Sequence, residues 1–202
     1  NHKHIHSLSV TEIGDPVALK PILDSYGWIM MLNGDDQSGV ALLIRSSLEP
    51  YVRKRLINGP RGRLIGAVLE VPSGKKVVIM SIYVPTGRDS DAKDHSEASK
   101  ITDEVYAKLL KWSDEGDVCV LAGDFNETLT SLDSNNSARK RMNEGNSWLK
   151  TIDREFVDCY RSLHDDGGFT FTSWTHQVQW KSRLDYIFVK SNHAMGDGVR
   201  VT

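Results

Sequence analysis

The sequence predicts a layered domain of strands interspersed with a few helices, α/β or α+β, and three observations carry that reading. Short apolar or β-branched runs recur at residues 28–32, 40–44, 64–71, 76–84, 118–122 and 184–189, each of strand length. Helical spacing of apolar residues is confined to 16–25 and 97–113, with a weaker helix at about 147–154. The 202 residues are 39% hydrophobic and 26% charged, which suits one folded domain over 1–202 with a real core rather than a disordered chain.

Taken in order, Ile5, Leu8 and Val10 suggest a strand running toward Thr11-Glu12. His2, His4 and His6 alternate on one face of it, and a frayed terminus explains them better than a metal site. Gly14-Asp15-Pro16 then breaks the strand: Asp15 is a good N-cap and Pro16 a good first helical residue. The helix that follows has Val17, Leu19, Ile22 and Leu23 as its apolar set. Residues 33–39 form a turn cluster between two buried strands. Residues 64–71 and 76–84 make a hairpin across Pro72-Ser-Gly-Lys75. Ile101, Val105, Leu109 and Trp112 lie on one face of the second helix, and a 114–117 turn leads to a strand buried on both faces. Residues 127–145 are polar and loop-like, and 156–163 is a short apolar segment. Phe169 and Phe171 alternate with threonines like an exposed strand, and 184–189 is the last strand.

Composition narrows the function classes. No apolar run approaches the ~18 residues of a membrane span, and no signal peptide is visible. Cys119 and Cys159 lack metal-ligand spacing and read as core thiols of an intracellular protein, the nucleus included. A net charge of −2 means that any polyanion contact is local and helped by a metal cation. No Gly-x-Gly-x-x-Gly follows a strand, and Gly74-Lys75-Lys76 lacks Walker spacing, so no dinucleotide cofactor is expected.

The stretch from Val118 to Asn126 organises the rest. It delivers Asp124 and Asn126, two apart on an extended segment, beyond the end of a buried strand, where ligands of layered α/β folds sit. Gly-Asp-Phe-Asn is also good turn chemistry, so by itself the tetrapeptide fits a turn as well as a site. Two further strings stand with it: Ser81-Ile-Tyr-Val-Pro85 and Ser182-Arg-Leu-Asp-Tyr-Ile-Phe188, preceded by Ser38-Gly-Val-Ala-Leu-Leu-Ile-Arg45.

In that order and spacing the strings resemble the endonuclease/exonuclease/phosphatase superfamily, the fold of DNase I and abasic-site endonucleases, with retroelement endonuclease domains most similar. The resemblance runs from about residue 8 to the end. It implies a four-layered α/β sandwich of DNase I type and Mg²⁺-dependent (or Mn²⁺-dependent) phosphodiester hydrolysis on DNA, with RNA the second candidate and no membrane partner. Asp124 matches the aspartate that orients or deprotonates the attacking water. Asn126 matches the amide that donates to the phosphoryl oxygen and holds the site together. Tyr83 matches the tyrosine that bonds the scissile phosphate, and Asp185 the aspartate that orients a histidine or helps bind metal. A structural acid paired with Arg183 is the bland alternative for Asp185. Glu12 stands where the family's metal carboxylate is expected, although Thr11 and Ile13 depart from its neighbours, and an acid at the start of the first helix is the equal alternative. Mg²⁺ keeps several waters, so one or two carboxylates suffice.

Arg139 and Arg141 lie in a segment that flanks the substrate in the family. Trp174 resembles an aromatic near the nucleic-acid groove, where stacking and packing are comparable readings. Arg53-Lys-Arg55 and Arg61-Gly-Arg63 could touch phosphates or form a solvated face, and Asp158-x-x-Arg161 resembles a structural element. The resemblance further implies a chain incomplete at both ends. The family's first strand and its final Ser-Asp-His are not matched, His193 comes too early and reads as a loop residue, and Val199-Arg-Val201 looks like the start of a further strand. An unpaired sheet edge and weak or absent catalysis are therefore expected. The rivals are an RNA exonuclease or phosphomonoesterase of the same superfamily, and a non-catalytic nucleic-acid-binding relic.

Overall fold

A computed structural model describes residues 5–33, 39–84, 92–135, 152, 154–175 and 177–191, with backbone only at 92–99 and 191. The expectations for His2, His4, Arg139, Arg141 and His193, for most of 147–154 and for 199–201 lie outside the described residues.

The strands are β1 (Ser7–Thr11), β2 (Trp28–Asn33), β3 (Val40–Arg45), β4 (Val52–Leu56), β5 (Leu64–Glu70), β6 (Lys76–Tyr83), β7 (Val118–Asp124), β8 (Val157–Asp158), β9 (Phe171–Thr175), β10 (Val178–Ser182) and β11 (Asp185–Ser191). The helices are α1 (Pro16–Ser25) and α2 (Ala92–Ser113). A six-stranded sheet runs β4-β5-β6-β7-β11-β8, a three-stranded sheet runs β1-β3-β2, and β9 and β10 form a separate hairpin. Within the large sheet β6 and β7 are parallel, while β5–β6 and β7–β11 are antiparallel.

Alternation along β5 shows how the layers are built. Leu64 and Val68 join a core with Met80, Leu121 and Phe188, onto which Val105, Leu109 and Trp112 of α2 pack. Ile65, Ala67 and Leu69 point the other way, into a second core with Met31, Val40, Leu42 and Ile44 of the small sheet. With α1 against β2 on the outside, the order is helix, sheet, sheet, helix: the fold is an α/β sandwich.

Three local expectations are corrected. Helix α1 forms as its signals predict, with Asp15 Oδ1 accepting from the Val17 and Ala18 N–H groups. Most of its apolar set is nevertheless exposed: Val17 is 80% and Ile22 55% exposed, and Leu23 is half-buried. Amphipathic spacing shapes a helix but does not supply the layer that would cover it. Strand β7 is buried on one face only. Cys119 and Leu121 lie in the core below α2, while Val118, Val120 and Ala122 on the opposite face are half-buried. Strand β1 lies over β6 and β7, and β1 is one edge of its own sheet. Of the two thiols, Cys119 is fully buried, and burial pushes it up to about 12, whereas Cys159 is only partly buried.

The polar 127–145 segment also hides a core element. Asp133 is fully buried and Arg183 is 1% exposed. Arg183 Nε donates to Asp133 Oδ1 at 2.8 Å and Arg183 Nη1 to Asp158 Oδ1 at 3.0 Å, while Arg161 Nη2 donates to Asp133 Oδ1 at 2.6 Å. Arg183 therefore pairs with Asp133 and Asp158, which leaves Asp185 out of the ion pair suggested for it. Burial, the largest single influence, would raise the Asp133 pKa, but the bond and charge of Arg183 together with the bonds from Thr130 N–H and Arg161 hold it below the ordinary carboxylate value. The cluster ties the 130–134 turn, β8 and the start of β11 together. No helix among the described residues is long and apolar enough to cross a membrane.

Candidate active site

Sheet register assembles the site. Tyr83 of β6 pairs with Asp124 of β7, and Asp124 with Asp185 of β11. Residues opposite one another in a ladder share a sheet face. The phenol and two carboxylates therefore stand in one row on one face, spaced by about 4.8 Å per strand. That face is the one turned toward the small sheet, where Tyr83 packs at the edge of the second core.

Gly123 makes the approach to the row possible. Its φ is +148°, and a Cβ there would stand 1.9 Å from the Ile82 carbonyl oxygen. The chain then turns sharply. Asp124 Oδ1 accepts the Asn126 N–H at 2.8 Å, and Asn126 itself has φ +51°, the left-handed conformation that Asn tolerates. Asn126 Nδ2 donates to the Val84 carbonyl at 2.7 Å, so one amide N–H clamps the tips of β6 and β7 together. The turn expected of Gly-Asp-Phe-Asn is present, and it holds the Asp124 carboxylate at the end of β7.

The fourth member of the site comes from the other sheet. Ser9 of β1 shares a hydrogen bond with Ser81 of β6 and donates to the Ala122 carbonyl of β7 at 3.1 Å, which docks β1 onto the large sheet. Glu12, just past β1, has φ +54°, and its N–H donates to Gly39 O. Its Oε1 accepts the Tyr83 hydroxyl at 2.6 Å. Asp15 caps α1 without Glu12, so the alternative of an acid serving the helix start falls away.

Burial raises the Tyr83 pKa, the Glu12 hydrogen bond and charge raise it further, and the charge and hydrogen bond of Arg63 work against them. The phenol therefore stays protonated at neutral pH and serves as a donor. Glu12→Gln removes the negative charge and is expected to shift the Tyr83 titration downward toward its ordinary value. Alkaline phenolate absorbance, read as the difference from a Tyr83→Phe chain, checks this. An unmoved or upward-shifted titration would contradict the Glu12–Tyr83 contact.

Asp185 is exposed, and its N–H donates to Thr170 Oγ1 at 3.2 Å, as does Leu184 N–H at 3.0 Å. Trp174 lies on the β9–β10 hairpin, outside the row, and is 68% exposed. The hairpin is tied down beside the row through Thr170 and through the Asn135 amide, which donates to Gln179 O. Among the described residues, no cluster of three or more His, Cys, Asp or Glu side chains could hold a metal. Glu12, expected from the family resemblance as the metal carboxylate, is instead seen bonded to the Tyr83 hydroxyl.

The sequence passed over Arg63 as one of a basic cluster. Arg53, Lys54 and Arg55 on β4 are answered by Glu70, Glu115 and Glu49. Arg63 is different: its guanidinium carbon lies 4.5 Å from the centroid of the Tyr83 ring. Only the antiparallel register of β5 on β6 puts it there, and no local pattern signals it.

The sequence pattern of the Endonuclease/Exonuclease/phosphatase family matches residues 8–201. The chain belongs to that family. Within it, the chain is 26% identical over 179 residues to the "DNA repair nuclease APEX1" of Danio rerio, covering 81% of this chain and 55% of that protein. It is 27% identical over 157 residues to the "Transposon TX1 uncharacterized 149 kDa protein" of Xenopus laevis, covering 76% of this chain and 11% of that protein. The chain thus spans about half of one curated relative and a small part of the other. The fold is also that of the 3′ phosphatase NExo from Neisseria, solved bound to product DNA hairpin. There the TM-score is 0.68 at 17% identity, over 94% of this chain and 77% of that one. At that identity the likeness shows the fold alone.

Proposed function

We propose that this chain is a Mg²⁺-dependent (or Mn²⁺-dependent) phosphodiester hydrolase that nicks DNA, of the retroelement type. The row Tyr83–Asp124–Asp185, with Glu12 set on Tyr83, carries the reading. DNA is favoured because the relatives include a DNA repair nuclease and a transposon protein, and because NExo was solved with a DNA product.

Hydrolysis forms a bond from a water oxygen to phosphorus and breaks the ester bond to the leaving oxygen. Asp124 orients the water and takes its proton; the turn to Asn126 N–H holds the carboxylate for that task. With substrate bound, the Tyr83 hydroxyl, kept protonated, turns its single proton from Glu12 to a non-bridging phosphoryl oxygen. Asn126 keeps the two strand tips in register through Val84 O. Glu12 would hold a hard cation that retains most of its water, since one or two carboxylates suffice for such an ion. Bound there, such a cation supplies positive charge against the developing phosphoryl charge. Trp174 offers an exposed face on which a base can stack, and Arg139 and Arg141 are assigned to the phosphate backbone.

The test is to incubate the chain with supercoiled plasmid, a single-stranded RNA and inositol phosphates, with Mg²⁺ or with EDTA. Slow conversion of supercoiled to open-circular plasmid in Mg²⁺, abolished by EDTA, is expected. Cleavage of RNA or release of phosphate without nicking would move the chain to another activity of the family. No turnover of any of the three would leave a relic.

A further inference from the structure

We propose that the outer edge of β2, with the groove between it and α1, is the surface through which two copies of this chain pair, edge to edge about a two-fold axis. The inference stands apart from the nuclease reading above.

The undefended edge is the first support. Strand β2 closes one side of the small sheet, and among the described residues no strand pairs with its outer side. An edge strand presents unpaired N–H and C=O groups, and folded chains defend such edges with charge, broken register or shortness. The large sheet is defended at both edges. Strand β4 carries Arg53, Lys54 and Arg55 and a register shift between Val52 and Lys54, and β8 is two residues long. Strand β2, Trp28-Ile-Met-Met-Leu-Asn33, has six residues in unbroken register with β3, no charge and no proline.

The groove shows where a partner would lie. Its volume is about 520 Å³, and Val17, Lys20, Pro21 and Asp24 of α1 line it together with Met30 and Leu32 of β2. Strand β3 adds nothing to its floor. Leu43 and Ala41, which pair with Met30 and Leu32 and so share their face, are buried elsewhere. The groove therefore opens toward the free side of β2. A sheet continued through that edge would bring the partner's helix alongside α1, with Val17, Pro21 and Leu32, all exposed in the single copy, covered between them.

Charge selects the occupant. A two-fold contact sets residue i of one copy against residue j of the other and j against i, so the surface must complement itself. Lys20 and Asp24 on the groove wall form an ion pair at 2.6 Å within one copy, with side chains 65% and 53% exposed. A two-fold axis brings each beside its opposite in the partner, whereas a strongly acidic or strongly basic partner would meet one like charge. Strand β2 and this side of α1 supply about a dozen residues per copy, against ~20–30 in a standard interface, so the dimer is weak and forms only at high concentration.

Sedimentation equilibrium tests this on the parent, from about 5 to about 500 µM, and on Val17→Glu, Lys20→Glu, Asp24→Lys and Leu8→Lys. Leu8 lies on β1, the other uncharged edge of the same sheet. All four sites are exposed, and far-UV spectra check that each variant folds. The parent is expected to pass from monomer to dimer over that range. Val17→Glu, Lys20→Glu and Asp24→Lys should each weaken the dimer by about tenfold or more, and Leu8→Lys should leave it unchanged. An equimolar mixture of the Lys20→Glu and Asp24→Lys chains should form the dimer again, because each altered charge then faces its opposite; a folding defect cannot give that rescue. A parent that stays monomeric throughout would overturn the proposal. So would a dimer lost in Leu8→Lys but kept in Val17→Glu, or a mixture that pairs no better than its separate components.

Discussion

Asp124→Asn is expected to slow plasmid nicking by roughly two to four orders of magnitude, the usual contribution of a positioned general base. The substitution isolates one property. An asparagine oxygen can still accept the Asn126 N–H, so the turn that presents residue 124 survives. The register with Tyr83 and Asp185 is set by backbone bonds and does not depend on the carboxylate. What is lost is a group able to take a proton from water. The melting temperature and the far-UV spectrum are therefore expected to match those of the parent. Nicking kinetics under single-turnover conditions, with melts alongside, would decide. A variant that nicks as fast as the parent would remove Asp124 from the reaction, and one that fails to fold would show that the carboxylate is structural.

The second large effect is on stability. Arg183→Met is expected to cost about 3–5 kcal/mol, because breaking a buried ion pair leaves charge without its partner. Asp133 is fully buried and would keep Arg161 as its one cationic partner, beside the Thr130 N–H and hydroxyl, while Asp158 would lose two guanidinium contacts. For a chain of this size that amounts to a fall in melting temperature of roughly 10 °C. The pH dependence gives the mechanism a signature. In the parent, the Asp133 pKa lies below its unfolded value, so its contribution is full above that value and fades as pH falls through the folded pKa. In the variant the chief lowering influence is gone and burial pushes the group upward, so its penalty is relieved as pH falls. The stability gap between parent and variant should be widest near neutrality and narrow toward pH 4. Urea melts from pH 7 to pH 4 would show it, and a gap constant across that range would mean that the loss is one of packing rather than of charge.

The two predictions sit on opposite sides of what could be read in advance. Asp124 was legible because its signals are local: an apolar run, a glycine, then an acid and an amide two residues apart. Asp15-Pro16, the hairpin at 72–75 and the apolar face of α2 were legible for the same reason, since capping, turn and periodicity signals are written within a few residues. Arg183 was misassigned because its neighbour in sequence, Asp185, was the obvious partner. Its actual partners, Asp133 and Asp158, lie 50 and 25 residues away in segments of weak pattern. The apolar set of α1 misled in the opposite sense, since helical spacing states which face is apolar but not whether anything covers it.

Sequence by itself determined the layered strand-rich class, the positions of most strands, the turn at Asp124–Asn126 and the ordered strings that carry the family resemblance. These are properties of backbone preference and side-chain type over a few residues. Only the tertiary structure decided that Tyr83, Asp124 and Asp185 share one row, that Glu12 reaches Tyr83 from the facing sheet, and that Arg63 rather than the β4 cations stands beside them. Those contacts join residues 20 to 71 positions apart. Sheet register sets such pairings, and a shift of one residue would turn each of these side chains to the opposite face.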